Sequence, residues 1–178
     1  MGEWWEPEIS SIEERVEELL HEIVAGLPEG CATLTVHDCR AEEDPGQVES
    51  GGLVFQLDPS NKRAAQIRLH AKNGYPNVDF TLGQITPHEV YPWRRRSVID
   101  QIREVCEAVI AGPFEEKLWF VGSKIAKCHA TITIGGKRRR LSYSRGVDWF
   151  RRKTFKHIVY EPYAANESVE ATSVKEPN

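Results

Sequence analysis

Apolar side chains recur at helical spacing in two segments of this chain. In residues 10–26 they are Ile12, Val16, Leu19, Leu20, Ile23 and Val24. In residues 94–111 they are Val98, Ile102, Val105, Cys106, Val109 and Ile110. Because positions three and four apart share one face of a helix, this spacing predicts two long amphipathic helices. Gly26 ends the first helix, and Gly112-Pro113 ends the second.

Alternation of apolar and polar residues predicts β-strands in two further groups. The predicted strands are residues 32–37, 53–57, 65–72 and 77–82 before the second helix, and 118–121, 125–134, 137–144 and 155–160 after it. Between the groups, Thr86-Pro87-His88-Glu89 is typical of a helix start, which Pro92 limits to about one turn. Residues 146–153 are predicted as a short helix.

Gly135-Gly136 fits a two-residue turn between the strands 125–134 and 137–144. This turn would place Ile132 opposite Arg139, and Ala130 opposite Leu141. The other face of the hairpin would then hold His129, Thr131, Thr133, Arg138, Arg140 and Ser142.

Strands that occur in runs, without helices between them, indicate an α+β fold. We expect a single domain over residues 1–162, a mainly antiparallel sheet with the two long helices packed on one side, and a polar tail over residues 163–178. By its element order the chain is similar to secretion-chaperone-like α+β domains, an analogy of fold alone.

Charge is segregated along the chain. Residues 1–90 carry 17 Asp/Glu against 6 Lys/Arg, whereas residues 91–156 carry 16 Lys/Arg against 6 Asp/Glu. Either the two parts pair within the fold, or each presents a face of one sign to a partner. The acidic part includes a row of glutamates on the outer face of the first helix, which is typical of a solvated face or of a docking surface for a basic partner.

Basic and aromatic residues are interleaved near the end of the chain. The cations are Lys137, Arg138, Arg139, Arg140, Arg145, Arg151, Arg152, Lys153 and Lys156, and the aromatic residues are Tyr143, Trp149, Phe150 and Phe155. Cations that follow a phosphate backbone and rings that stack on bases are what single-stranded nucleic acids require. The same pattern also fits aromatic core residues with arginines around them, or arginines paired with the acidic half.

No catalytic or metal-binding fingerprint is present, so the sequence assigns no catalytic residue, metal or cofactor. Cys31, His37 and Cys39 could share one strand face, but three ligands on one strand seldom surround a metal. The four cysteines match no zinc or redox spacing. Cys106 and Cys128 fall on apolar faces, as reduced cysteines do, which favours a soluble cytoplasmic protein. No apolar run is long enough to span a membrane.

The leading prediction is a non-catalytic domain that binds another protein, with an immunity, antitoxin or chaperone-like role. The residues predicted to bind this partner are Arg138, Arg140, Arg145, Trp149, Arg151 and Arg152, because Arg and Trp are preferred in interface centres. The first alternative is single-stranded nucleic-acid binding through residues 137–156. The second is an enzyme on small substrates that carries no sequence motif.

Overall fold

The computed structural model of this chain describes residues 11–39, 52–72, 77–84, 86–90, 97–144 and 154–164. These residues form two helices and nine strands. In chain order they are α1 (Ser11–Ala25), β1 (Ala32–Asp38), β2 (Gly52–Pro59), β3 (Ile67–Lys72), β4 (Val78–Leu82), β5 (Thr86–Val90), α2 (Val98–Ala111), β6 (Phe114–Val121), β7 (Lys124–Ile134), β8 (Lys137–Ser144) and β9 (Thr154–Tyr160).

The strands form two antiparallel sheets, which confirms the α+β class and corrects the prediction of a single sheet. The first sheet has the order β1-β2-β3-β4-β5, so each strand lies beside its neighbour in the sequence. The second has the order β8-β7-β6-β9, in which β9 pairs with the edge of β6 that β7 leaves free. The alternating pattern predicts which face of a strand is buried, but it does not state which strands share a sheet.

Two further expectations are corrected around α2. The segment Thr86–Val90 is a strand, not a helical turn, because its backbone pairs with β4 along its whole length. The helix begins at Val98 rather than at residue 94, because Ser97 caps it: the Asp100 N–H donates to Ser97 Oγ at 3.1 Å. The end of the helix agrees with the sequence, since Gly112 follows its last residue. Among the described residues, no helix is long and apolar enough to cross a membrane.

The core lies between the helices and the inner faces of the sheets. The buried stripes of α1 and α2 belong to one apolar cluster with strand residues of both sheets. As predicted, α1 contacts β3, which contributes Ile67 and Leu69, and α2 contacts β7, which contributes Ala130 and Ile132. Cys106 and Cys128 are buried, and burial raises the pKa of the Cys106 thiol to about 12.

A buried carboxylate joins the two sheets. Glu116 of β6 is fully buried, and its Oε2 accepts from the Tyr160 hydroxyl of β9 at 2.6 Å. The same oxygen accepts from the Gln84 N–H at 2.9 Å, in the turn between β4 and β5. Burial, followed by the hydrogen bond to Glu116, raises the pKa of Tyr160, so this hydroxyl stays a proton donor. The hydrogen bonds satisfy a carboxyl group that would otherwise be costly to bury.

The chain after β9 ties the same sheets together a second time. The Glu161 N–H donates to the Arg63 carbonyl at 3.0 Å, and the Tyr163 hydroxyl donates to the Ala65 carbonyl at 2.7 Å. The Tyr163 N–H donates to the Ile110 carbonyl near the end of α2. Tyr163 is the first residue of the predicted tail, yet it is buried, so packed structure extends at least to this residue.

Replacing Leu19 by alanine tests the core of α1. Leu19 is 3% exposed, so Leu19→Ala should lower the free energy of unfolding by roughly 2–5 kcal/mol, from lost burial and the cavity left behind. Chemical denaturation measures this change. Glu18→Ala, at the exposed neighbouring position, is the control and should change stability by about 0.5 kcal/mol or less. Equal stabilities of the two variants would contradict the packing of α1.

A matched pair of glycine substitutions tests the junction of the sheets. Gly83 and Gly122 have the same φ of +62°, so alanine strains the backbone equally at both. At Gly122 a Cβ would meet nothing within 4 Å, whereas at Gly83 it would lie 2.6 Å from Glu116 Oε2 and 2.8 Å from the Tyr160 hydroxyl. We expect Gly83→Ala to cost roughly 1–3 kcal/mol more than Gly122→Ala in chemical denaturation, because it overpacks this junction. Equal losses of unfolding free energy in the two variants would show that Glu116 and Tyr160 can move aside for the new Cβ without cost.

His70 of β3 should make the protein less stable in mild acid. Burial, and then the charge of Lys72, lower the pKa of His70, and its buried Nε2 has no hydrogen-bond partner among the described residues. Below the ordinary histidine pKa of about 6.5, the unfolded chain therefore binds more protons than the folded chain. The free energy of unfolding should fall between about pH 7.5 and pH 6, and by less in His70→Gln. Denaturation at both pH values measures the fall, and an unchanged fall in the variant would refute this role.

Candidate functional site

The second sheet has one face that packs inward and one that faces solvent. Its inner face carries Phe114, Leu118, Ala130 and Ile132, which are all buried. The opposite side, which we call the open face, consists of Glu115, Lys117 and Trp119 of β6, Lys127, His129, Thr131 and Thr133 of β7, Arg138, Arg140, Ser142 and Ser144 of β8, and Phe155, His157 and Val159 of β9. By strand geometry this surface measures about 20 Å along β7 and about 14 Å across the four strands.

The β7–β8 hairpin forms the basic side of the open face in the predicted register. Ile132 pairs with Arg139 and Ala130 pairs with Leu141, as the Gly135-Gly136 turn predicts. Both glycines have positive φ, of 56° and 72°, which the tight turn requires. The register places Arg138 and Arg140 on the solvent side.

The open face carries more positive than negative charge. Its cations are Lys117, Lys127, Arg138 and Arg140, and its one carboxylate is Glu115. Glu115 lies 3.5 Å from Arg138 and 3.6 Å from the Nε2 of His157. The Arg138 side chain is nevertheless 71% exposed, so its charge remains accessible to a partner.

One glutamate of the acidic half pairs with a cation that lies outside the open face. Arg103 of α2 makes two hydrogen bonds with the carboxylate of Glu22 in α1, at 2.7 and 3.1 Å. This pair lowers the pKa of Glu22 and raises that of Arg103. The partners of Arg138 and Arg140 described here belong to their own sheet, so these two arginines do not serve to hold the halves together.

A row of rings in edge-to-face and tilted contact crosses the open face from β9 to β7. The Phe155 and Trp119 ring centroids are 5.3 Å apart, and the Trp119 and His129 centroids are 4.9 Å apart in an edge-to-face arrangement. Lys127 Nζ lies 5.3 Å from the Trp119 centroid, in cation–π contact. The β6–β7 register shifts just after Trp119, a bulge of the kind that redirects side chains. Phe155 at the end of this row is 57% exposed.

Arg140 extends the row to β8 through His129. Its Nη2 contacts both ring nitrogens of His129, Nδ1 and, at 2.9 Å, Nε2. Burial, and then the charges of Arg140, Lys127 and Lys117, lower the pKa of His129. The ring is therefore neutral at pH 7 and accepts a hydrogen bond from the guanidinium. This contact holds a cation over the sheet without cancelling its charge.

The structure describes only part of the set of residues predicted to bind a partner. Arg138 and Arg140 lie together on the open face, whereas Arg145, Trp149, Arg151 and Arg152 lie outside the described residues, so their role stays a prediction. The sequence prediction omits Lys117, Trp119 and Lys127, and it includes Phe155 only as a member of a basic segment. A period-2 reading started at residue 115 could have placed Lys117 and Trp119 on one face, but not beside Phe155.

The remaining surfaces of the described structure offer less chemistry. A groove of about 350 Å³ between α1 and α2 is lined by Glu22, Ile23, Gly26, Leu27, Arg103, Glu107, Ile110 and Ala111. These lining residues include no nucleophile next to a base. Two of the groove's charged side chains, Glu22 of α1 and Arg103 of α2, already pair with each other. Among the described residues, no group of three or more His, Cys, Asp or Glu side chains could hold a metal ion.

Comparison of the chain with family models, with curated proteins and with solved structures finds no match. The site must therefore be interpreted from its own geometry.

Proposed function

We propose that this chain is a non-catalytic binding domain whose open face binds single-stranded nucleic acid. The observation that carries the proposal is the exposed ring of Phe155 on a solvent-facing sheet that also presents four cations. The interpretation of the aromatic residues as core does not apply to Phe155, since it is more than half exposed. The interpretation of the arginines as partners of the acidic half does not account for Arg138 and Arg140.

The charge of the face is suited to a phosphate backbone. Lys117, Lys127 and Arg140 lie on three adjacent strands, so cations are spread across the sheet rather than gathered at one point. Each phosphate that such a cation neutralises releases condensed counterions, and a single strand gives a slope of about −0.7 per contact in log K against log salt. Four contacts therefore predict a slope near −3.

The shape of the face favours a single strand over a duplex. A sheet with an exposed ring offers a flat π-surface, and only unpaired bases can turn their own faces onto it. Neither described helix lies on this side of the sheet: α2 packs against β7 from the inner face. The described residues therefore place on this face no projecting helix of the kind that reads a major groove.

Substitutions on the two faces of β8 test the proposal with matched charge changes. Fluorescence anisotropy with a labelled 12-mer of thymidine, at about 50 mM salt, should detect binding by the unmodified protein. Arg138→Ala with Arg140→Ala should weaken binding and reduce the magnitude of the salt slope by about 1.4, the contribution of two phosphate contacts. Lys137→Ala with Arg139→Ala removes the same charge from the opposite side of the strand and should leave the slope nearly unchanged.

Two outcomes would count against nucleic-acid binding at this face. Absence of binding by the unmodified protein at low salt would refute it. Equal losses in the two double variants would show that net charge matters and the open face does not. A melting curve for each variant establishes that the affinities refer to folded protein.

A protein partner is the second candidate, and the exposure of Val159 favours it. Val159 is 56% exposed on the same face of β9 as Phe155, four residues further along the strand and opposite Glu115, which pairs with Arg138. Exposed apolar side chains near arginines are typical of protein interfaces. The immunity, antitoxin and chaperone-like roles are finer forms of this candidate and stay predictions. Affinity capture from nuclease-treated lysate would support it if a protein is retained by Lys137→Ala/Arg139→Ala and lost by Arg138→Ala/Arg140→Ala.

A further inference from the structure

We infer, on the basis of the proposed function, that Phe155 forms a base-stacking subsite at one end of the open face. The bound oligonucleotide runs from there across the sheet towards Arg140. Phe155 would bind a base through its ring, while the four cations of the open face, Lys117, Lys127, Arg138 and Arg140, would bind phosphates. The ligand class is a single-stranded oligonucleotide of either sugar.

Phe155 is the ring of the aromatic row that is open to a ligand. Trp119 is partly buried, with Lys127 over its ring and His129 at 4.9 Å. Phe155 is in contact with Trp119 alone among these side chains, and 57% of its surface is exposed. Trp119 therefore acts as a positioning residue that supports the Phe155 ring from one side.

The order of apolar and charged groups along the aromatic row indicates where the bases and the phosphates of a bound oligonucleotide would lie. Phe155 and Trp119 lie directly opposite each other on β9 and β6, and Lys127 lies opposite Trp119 on β7. On β8 the residue opposite Lys127 is Ser144, whereas Arg140 lies opposite Thr131, four residues further along. The Arg140 side chain joins the row through its contact with the neutral His129 ring. The row thus passes from an apolar ring at one edge strand to a guanidinium at the other. A planar base joined to a chain of phosphates has the same order of chemical groups.

Binding to oligomers with and without bases tests this subsite. The probes are a 12-mer of thymidine, a 12-mer of uridine and an abasic 12-mer of deoxyribose phosphate. Phe155→Leu keeps an apolar side chain but removes the ring, so it should weaken thymidine and uridine 12-mer binding about 10-fold, since stacking on one ring contributes about that much. It should leave abasic binding and the salt slope unchanged, because no phosphate contact is lost. Phe155→Trp should restore the affinity.

The outcomes separate this inference from the proposed function. If the thymidine and uridine 12-mers bind Phe155→Leu as tightly as the unmodified protein, while Arg138→Ala/Arg140→Ala still weakens binding, the subsite is wrong and the binding face stands. If none of the three oligomers binds the unmodified protein at about 50 mM salt, the proposed function fails and the subsite with it. An equal loss for the abasic and base-bearing oligomers would overturn the stacking role, since it would reflect a disturbed sheet.

Discussion

The buried carboxylate of Glu116 sets the arrangement on which the rest of this structure depends. A polar carboxyl group inside an apolar core must be hydrogen-bonded, and here the donors are the Tyr160 hydroxyl on β9 and the Gln84 N–H between β4 and β5. Satisfying Glu116 therefore requires both sheets in one relative position. Gly83 allows the approach, because any side chain there would overlap the carboxylate. The same position buries Phe114, Glu116 and Leu118 on the inner face of β6, together with Tyr160 at the end of β9, and leaves the open face to solvent.

Local patterns predicted those parts of the fold that depend on neighbours in the sequence. The stripe of α1 and the Gly135-Gly136 hairpin were correct because helical spacing and a two-residue turn act over a few residues. Thr86–Val90 was predicted wrongly because its cap residue and proline are typical of a helix start, whereas pairing with β4 decides its conformation. The strand β6 was predicted to begin at residue 118, whereas it begins at Phe114. Its first residues were missed because Glu115, Glu116 and Lys117 interrupt the apolar pattern, although Glu116 points inward and accepts a hydrogen bond from Tyr160.

The candidate site was only partly predictable, since it depends on the order of strands. Arg138 and Arg140 follow from the hairpin register alone. The contact between Trp119 and Phe155 requires β9 to pair with β6 after 30 or more intervening residues, and no local signal encodes that pairing. Nothing in the sequence distinguishes Phe155, which is exposed, from an aromatic residue of the core. The exposure of the Phe155 side chain depends on how the whole second sheet packs, and only the structure shows this.

The acidic composition of the chain does not conflict with a basic binding face. The chain has a formal net charge of −4 and a pI of about 5.9, but a partner on the open face is affected mainly by charges within about 8–10 Å, the screening length at physiological salt. Lys117, Lys127, Arg138 and Arg140 fall within that range of a ligand on the sheet. The glutamates of α1 lie on a helix that contacts α2, β1, β2 and β3, whereas the open face is on the side of the second sheet away from α2. Among the described residues, the glutamates of α1 are thus separated in space from the cations of the open face, so this face carries net positive charge although the chain as a whole is acidic.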